Sequence, residues 1–532
     1  MKRDIVDTGY ELGQDNITPF GLDIHNPVFL ISSLSIIVFV LVTLVFPEAS
    51  AEFFVWLRPA ITNAFVWLFL SAGNIFVLFA LIICVSPLGR VRLGGQDARP
   101  DYSYLGWFSM LFSAGMGIGL MFFGVSEPIS HFTSSIDGVV TSENGARIDW
   151  APLGATAGDI EAAKELAMAA TIYHWAIHPW AMYALVALAL AFFSFNHQLP
   201  LTLRSAFYPL LGRRIWGWSG HIIDIIAVFA TLFGLATSLG FGTQQALAGF
   251  KYLYGWGTGH VAVVVLIGII TLIAIASVIR GIDGGVKLLS EVNMGLAFLL
   301  LATIFVFGPT TEILTTIFSG AVGYLTEFIP LSMPFSREDT NFSQGWTSFY
   351  WAWWISWSPF VGMFIARVSR GRTVREFLIC VILIPTILCI LWMGTLGGTA
   401  LSQIIADGAA PIASAAQEIK LFYMFKDFPI SSMLSLVGIT LVLVFFITSS
   451  DSGSLVIDTI TAGGKTEVPV SQRIFWCSFE GLVAAVLLLV GGTEAVSALQ
   501  AMAVSIGLPF AVVLLGLCVS LWIGLSKANK VL

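Results

Sequence analysis

Twelve apolar segments, each about 20 residues long or longer, constrain what this chain can fold into more than any other feature. A helix of about 20 apolar residues crosses the hydrocarbon core of a bilayer. The 532-residue chain is 57% hydrophobic and only 11% charged, whereas soluble domains carry about 25% charged residues. We therefore predict an all-α membrane protein with twelve transmembrane helices. The predicted spans are 27–46, 62–85, 104–132, 166–194, 222–250, 260–279, 288–308, 345–367, 374–398, 430–449, 472–491 and 497–524.

The basic residues predict how these spans are oriented. If both termini are cytoplasmic, 18 of the 25 lysines and arginines fall on the cytoplasmic side, as the positive-inside rule requires. The first 26 residues are polar and lack a short apolar core with a cleavage site, so we predict no cleavable signal peptide. The net charge of −7 is spread over loops and indicates no nucleic-acid partner.

Aromatic residues are concentrated in two stretches that could form one site. The stretches are TSFYWAWWISWSPFVGMF (347–364), with Trp351, Trp353, Trp354 and Trp357, and HWAIHPWAMY (174–183), with Trp175, Trp180 and Tyr183. At about 100° per residue, three of the four indoles in the first stretch share one helix face. Two such faces would form a cage for a quaternary ammonium, which offers no lone pair. Packing in the core or at the membrane interface is the alternative interpretation.

Glycines interrupt the predicted span 104–132. Gly115, Gly117 and Gly119 alternate with apolar residues, and each costs a helix about 1 kcal/mol relative to alanine. We predict a helix break that faces protein or a cavity, because lipid cannot satisfy the freed carbonyls. Such breaks hold coupling ions and charged substrate groups in transporters. Close helix packing through small residues is the alternative.

Polar residues in other spans are weaker candidates. The hydroxyls of ITSSDSGS (447–454) suit a hard monovalent cation, although they also suit helix–helix hydrogen bonds, and Asp451 is interpreted as a cap at the cytoplasmic helix end. For Glu127, a structural role at a helix end is favoured over a functional one. His174 and His178 have zinc spacing, but with no Glu or third ligand nearby we predict structural histidines.

Several motifs together resemble the betaine/choline/carnitine transporter family. They are GMGIGLMFFGVSEP (115–128), HWAIHPWAMY (174–183), ATLFGLATSLGFG (230–242), WAWWISWSPFVGMFIARVSRGRTVREF (351–377) and ITSSDSGS (447–454). The resemblance covers nearly the whole chain. It implies a leucine-transporter-like fold of two inverted five-helix repeats preceded by two extra helices. It also implies a multi-pass homotrimer in the bacterial inner membrane, in contact with membrane lipid.

This fold divides the chain into six parts. They are a cytoplasmic N-terminal tail (1–26), two extra transmembrane helices (27–103), the first five-helix repeat (104–308), a periplasmic amphipathic connector (309–344), the second repeat (345–524) and a short cytoplasmic tail (525–532).

The resemblance also assigns substrate contacts and gates. The residues expected to contact substrate are Trp175, Trp180, Tyr183, Trp354, Trp357, Met116, Gly117 and Gly119. Of these, Trp357 corresponds to a residue that meets substrate on its way inward. Phe122 and Phe364 correspond to gate aromatics, while Trp351 and Trp353 are expected to do no more than pack or gate.

Sodium is the coupling ion that the resemblance implies. Its ligands would come from Ser113, Met116, Phe445, Thr448 and Ser449. A possible second sodium site has Thr231 and Phe360, but the family's second hydroxyl there is replaced by Leu235, which offers no oxygen.

Gly119 bears on the choice of substrate. Proton-coupled choline carriers of the family tend to have aspartate at this position, and a carboxylate there would repel a substrate that brings its own. We therefore predict sodium-driven symport of a zwitterionic onium, glycine betaine or dimethylsulfoniopropionate, by alternating access. Proton-coupled choline uptake and carnitine-type exchange are the alternatives. A channel would need a continuous polar pore, and we recognise no catalytic motif, so we predict that the chain is not an enzyme.

Overall fold

Helices form nearly the whole chain, because a backbone in lipid has to satisfy its own hydrogen bonds. A computed structural model describes residues 10–115, 117–280, 287–407 and 411–530, with backbone only at 112–115, 287–288, 407 and 493. The predicted all-α class is confirmed. Among these residues, the extended structure consists of two isolated bridges and a small ribbon, in which β1 (Asn16–Ile17) pairs antiparallel with β2 (Ile24–His25).

The helices are numbered in chain order. The first ten are α1 (Asn26–Val45), α2 (Pro47–Val85), α3 (Tyr104–Gly115), α4 (Ile118–Asp137), α5 (Ile160–Trp175), α6 (Ile177–His197), α7 (Tyr208–Leu211), α8 (Trp218–Tyr254), α9 (His260–Arg280) and α10 (Lys287–Phe307). The others are α11 (Thr310–Ser332), α12 (Thr340–Phe342), α13 (Ser348–Val368), α14 (Val374–Asp407), α15 (Pro411–Ser414), α16 (Lys420–Phe425), α17 (Ser431–Thr461), α18 (Val470–Gly491) and α19 (Ala495–Asn529).

Eleven helical segments in the described part of the chain are long and apolar enough to cross a membrane. Ten of them coincide with predicted spans, and the eleventh is α11, which lies in the predicted surface connector. The predicted spans 104–132 and 345–367 are helical but are not among the eleven. The first is divided between α3 and α4, and in α13 the tryptophans, tyrosine and serines lower the hydropathy. The count of twelve therefore stays a prediction.

The aromatic helices lie at the centre of the bundle. We compare the buried share of the most apolar 18-residue stretch of each segment. This share is 94% for α5–α6 and 83% for α8, but only 22% for α10. Helix α13 packs against α6, α8 and α19. The outer helices expose large apolar side chains such as Leu34, Leu272 and Phe298, which is the pattern of a lipid-facing surface. The centre is thus shielded from lipid by other helices.

Two helix breaks lie beside the aromatic residues. Between α3 and α4, Gly117 is extended (φ −157°, ψ −177°), as the glycine spacing predicts. The second break, at Ala176 (φ −96°, ψ −123°), divides the predicted span 166–194 into α5 and α6. Its physical cause is Pro179, because a proline ring clashes with the carbonyl four residues earlier, here that of Trp175.

Helix α17 is longer than the sequence predicted. The predicted span ends at residue 449, whereas the helix continues to Thr461. Hydroxyls in this stretch bond back one turn, as Ser454 Oγ does to Ser450 O (2.7 Å), so they do not interrupt the helix. The prediction that Asp451 caps a helix end is therefore wrong. Asp451 is buried within α17 and accepts a hydrogen bond from Ser277 of α9.

Candidate substrate-binding site

An aromatic cavity lies where the two helix breaks meet α13 and α14. The space in it that is open to the centre of a water molecule is about 30 Å³. Its lining residues are Gly117, Gly119, Leu120, Trp175, Pro179, Trp180, Tyr183, Trp353, Trp354, Trp357 and Cys389. Within the described residues the lining contains six aromatic side chains and no charged one. The ring faces can therefore attract a cation, but the described lining offers no charged side chain to pair with it.

Four aromatic residues expected from the sequence form adjoining walls. The ring centroids of Trp175 and Trp354 are 4.8 Å apart at an interplanar angle of 71°. Tyr183 lies 5.4 Å from Trp180 at 83° and 6.3 Å from Trp354 at 80°. Rings that meet nearly at right angles make a box rather than a stack. This arrangement suits a methylated cation, which is attracted to ring faces.

Of the other two tryptophans discussed for α13, Trp353 lines the cavity, which the sequence did not predict, and Trp351 does not line it. Trp353, expected only to pack or gate, lies on the cavity wall and stacks on Trp354 (4.7 Å, 14°). The signal for it was in the sequence, because Trp353 shares a helix face with Trp354 and Trp357. Trp351 is absent from the lining and stacks instead on His178 (5.1 Å, 25°).

Gly119 allows two indoles to approach the backbone of α4. A Cβ atom at this position would lie 2.7 Å from Cη2 of Trp175 and 2.9 Å from Cη2 of Trp353, closer than real Cβ atoms come. Any side chain would therefore displace a cavity wall. At Gly117 the nearest atom to such a Cβ, Cη2 of Trp357, would be 3.6 Å away, which is ordinary contact.

Three of the cage indoles are each fixed by a hydrogen bond to the protein. Trp175 Nε1 donates to Glu127 Oε2 (2.8 Å), and Trp357 Nε1 donates to the carbonyl of Gly234 (2.9 Å). Trp354 Nε1 donates to the carbonyl of His174 (2.9 Å), which lies in the last turn of α5, where carbonyls lack helical partners. The polar edges of these rings are thus satisfied outside the cavity.

Glu127 is the centre of a buried cluster that the sequence did not predict. Its Oε1 accepts hydrogen bonds from His174 Nδ1 (2.6 Å) and His131 Nε2 (3.2 Å), while Oε2 accepts from Trp175 and from the hydroxyl of Tyr350. The prediction that no glutamate lies near His174 is therefore wrong, and so is a helix-end role, because Glu127 lies inside α4.

The two histidines with zinc spacing, His174 and His178, have different partners in the structure. His178 contacts Asn74, whereas the ligand atoms of Glu127, His131 and His174 lie within 4.8 Å of one another, a composition that could hold a metal ion. All three of those residues take part in the hydrogen bonds of the cluster.

The predicted sodium site is only partly within the described residues. Met116 lies outside them, and Ser113 is described by its backbone in α3 alone. On α17, Phe445 and Ser449 are buried, and Thr448 Oγ1 donates to the carbonyl of Val444 (3.0 Å). A hydroxyl that donates its proton keeps its lone pairs for a cation, so the α17 residues fit a sodium site.

The possible second sodium site is apolar where the family has a hydroxyl. Thr231 Oγ1 donates to the carbonyl of Ala227 (2.8 Å), and Phe360 meets Trp357 edge-on (5.4 Å). Leu235 packs so tightly on Gly453 that a Cβ there would lie 2.1 Å from Leu235 Cδ1. This site stays a prediction.

The two gate residues lie outside the cavity lining. Phe122 is buried against Phe123 (4.8 Å) and Phe241 (5.0 Å), one turn beyond Gly119 on α4. Phe364 is half-buried on α13, about two turns beyond Trp357. Both flank the cavity along its own helices, and their gating roles stay predictions.

Comparisons with known proteins identify the family. A family model described as "BCCT, betaine/carnitine/choline family transporter" matches residues 27–530. The chain is 60% identical to a glycine betaine/proline/choline transporter of Vibrio parahaemolyticus, over 99% of this chain and 96% of the relative. It is 52% identical to glycine betaine transporter 1 of the same organism, over 99% of each chain. A glycine betaine transporter of Acinetobacter baylyi is 40% identical, over 95% of this chain and 74% of the relative.

These matches confirm the resemblance and the prediction that the chain is not an enzyme. The aromatic cavity thus lies inside the helix bundle of a transporter. The chain belongs to the betaine/carnitine/choline transporter family, whose members are multi-pass membrane proteins.

Proposed function

We propose that this chain imports a zwitterionic methylated onium solute, glycine betaine or dimethylsulfoniopropionate, in symport with sodium by alternating access. The observation that supports the proposal is that the described cavity lining has six aromatic side chains and no charged one. A cation–π contact contributes about 2 kcal/mol when desolvated. Three or four such faces supply much of the roughly 8 kcal/mol that a micromolar affinity requires. Glycine betaine also stands in the names of three relatives.

The absence of a carboxylate from the described lining favours a zwitterion over choline. Choline would leave its positive charge unbalanced, whereas a betaine brings its own negative charge into the cavity. The name of one relative includes choline and proline, so the preference needs a direct test. We expect purified protein to bind glycine betaine and dimethylsulfoniopropionate more tightly than choline, carnitine or proline in a competition series. Preference for choline would overturn the argument from Gly119.

Sodium coupling is supported by the hydroxyl of Thr448 and the buried Ser449 on α17. Sodium held there and at the break between α3 and α4 would supply the positive charge that ties the two elements together and favours substrate binding. The effect has to be reciprocal, so substrate must also raise the affinity for sodium. We expect uptake of labelled betaine to be lost when potassium replaces sodium at fixed pH. Unchanged accumulation would refute sodium coupling and favour a proton carrier.

The setting proposed for this activity is the bacterial inner membrane, with both termini cytoplasmic and a homotrimeric assembly. The bias of lysine and arginine supports the orientation, and the relatives are bacterial. The inverted repeats 104–308 and 345–524 belong to the same proposal. Light scattering on the detergent-solubilised protein tests the trimer, because a mass of one chain would contradict it.

A further inference from the structure

A buried negative charge lies directly behind one wall of the aromatic cavity. The side chain of Glu127 is fully buried, and four donors converge on its two oxygens. Among the described residues, its ion-pair partners are only His131 and His174, and no lysine or arginine. The carboxylate is therefore solvated by hydrogen bonds rather than neutralised by a permanent cation.

The hydrogen bonds of the two histidines fit neutral imidazoles. His174 donates from Nδ1 to Glu127, and its Nε2 lies 3.0 Å from the hydroxyl of Thr347, which can donate to it. His131 donates from Nε2, while its buried Nδ1 has no hydrogen-bond partner among the described residues. With both imidazoles neutral, the cluster carries the single negative charge of Glu127.

The same cluster holds two walls of the cavity. Trp175 donates its indole N–H to Glu127, and Trp354 donates to the carbonyl of His174. An N–H group that donates to an anion leaves its ring more electron-rich, so the ring face toward the cavity attracts a cation more strongly. The carboxylate of Glu127 also attracts the cationic head group directly, at longer range. The indole of Trp175 keeps this carboxylate apart from the carboxylate of a bound zwitterion.

We infer that Glu127 is a positioning residue that gives the aromatic cage its preference for a positively charged head group, acting through Trp175. This role rests on the proposed function and goes beyond it, because it assigns charge selectivity to a residue outside the cavity. Glu127 is not a lining residue and reaches the cavity only through the indole of Trp175.

The test compares two ligands of the same shape. Glycine betaine carries a quaternary nitrogen, and 3,3-dimethylbutanoate carries a quaternary carbon in the same place. We expect Glu127→Gln to weaken the binding of glycine betaine by about tenfold. The affinity for 3,3-dimethylbutanoate, whose head group is uncharged, should change by less than about twofold. Loss of packing alone would weaken both ligands equally. Glu480→Gln is the matched control, because Glu480 is an equally buried carboxyl, bonded to Ser450 on α17 and absent from the lining.

Two further outcomes separate this inference from the proposed function. Wild-type protein that binds no betaine would overturn the proposed function, whereas normal wild-type binding with an unchanged affinity ratio in Glu127→Gln overturns only the role of Glu127. If that variant does not fold, Tyr350→Phe decides, because it removes one donor from the carboxylate and leaves the ring in place. It should raise the preference for the charged head group by a smaller factor, because Oε2 is then left to the indole of Trp175 alone, and an unchanged ratio overturns the role.

Discussion

Replacement of Gly119 by alanine tests the geometry of the cage most directly. The added methyl group would lie 2.7 Å from Trp175 and 2.9 Å from Trp353, so the nearer indole has to move by about 0.7 Å to reach ordinary contact at 3.4 Å. Neither ring is free to move, because Trp175 is bonded to Glu127 and Trp353 donates to Ser238 (3.2 Å).

The expected magnitude follows from this overpacking. Forcing a methyl group into a well-packed site costs about 1–3 kcal/mol. If this cost raises the free energy of the substrate-bound state alone, the affinity for betaine drops by about 5- to 150-fold. Equilibrium binding to the purified protein in lipid nanodiscs, with its melting temperature as a check on folding, measures the change.

The matched control is Gly268→Ala on α9, where nothing lies within 4 Å of the added methyl group. This variant should bind betaine as the wild type does. Wild-type affinity in Gly119→Ala would refute the reasoning, because it would mean that the two indoles do not need the space that glycine leaves.

Three further predictions concern the cage and the stability of the bundle. Trp354→Leu should abolish saturable betaine uptake, whereas Trp351→Leu, outside the cavity, should retain it in the same cells. Asp224→Asn breaks the buried ion pair with Arg204 (2.5 Å) and should destabilise the protein by about 3–5 kcal/mol in thermal unfolding; an unshifted melting temperature would contradict this. Burial and Arg204 lower the pKa of His25 to about 3 in the folded chain. As the pH falls, His25 is therefore protonated in the unfolded chain before it is protonated in the folded one. Stability should therefore drop by about 2 kcal/mol between pH 7 and pH 5, and His25→Gln should flatten this slope.

The sequence by itself determined the class of protein and most of the cavity wall. Apolar length is a local property, so the helices could be predicted, and the low helix propensity of glycine predicted the break that is found at Gly117. The spacing of Trp354 and Trp357 along one helix put both on the same face. The family resemblance then paired that face with Trp175, and the structure brings these side chains to one cavity.

Tertiary structure alone decided how the cage is supported. Glu127 and His174 are 47 positions apart, and no periodicity indicates that packing of α4 against α5 brings them to 2.6 Å. Pro179 stands in the sequence, but Pro128 and Pro359 lie inside continuous helices, so a proline alone did not predict the break at Ala176. Local propensity therefore specified which residues form the walls, whereas hydrogen bonds between distant helices determined what holds them.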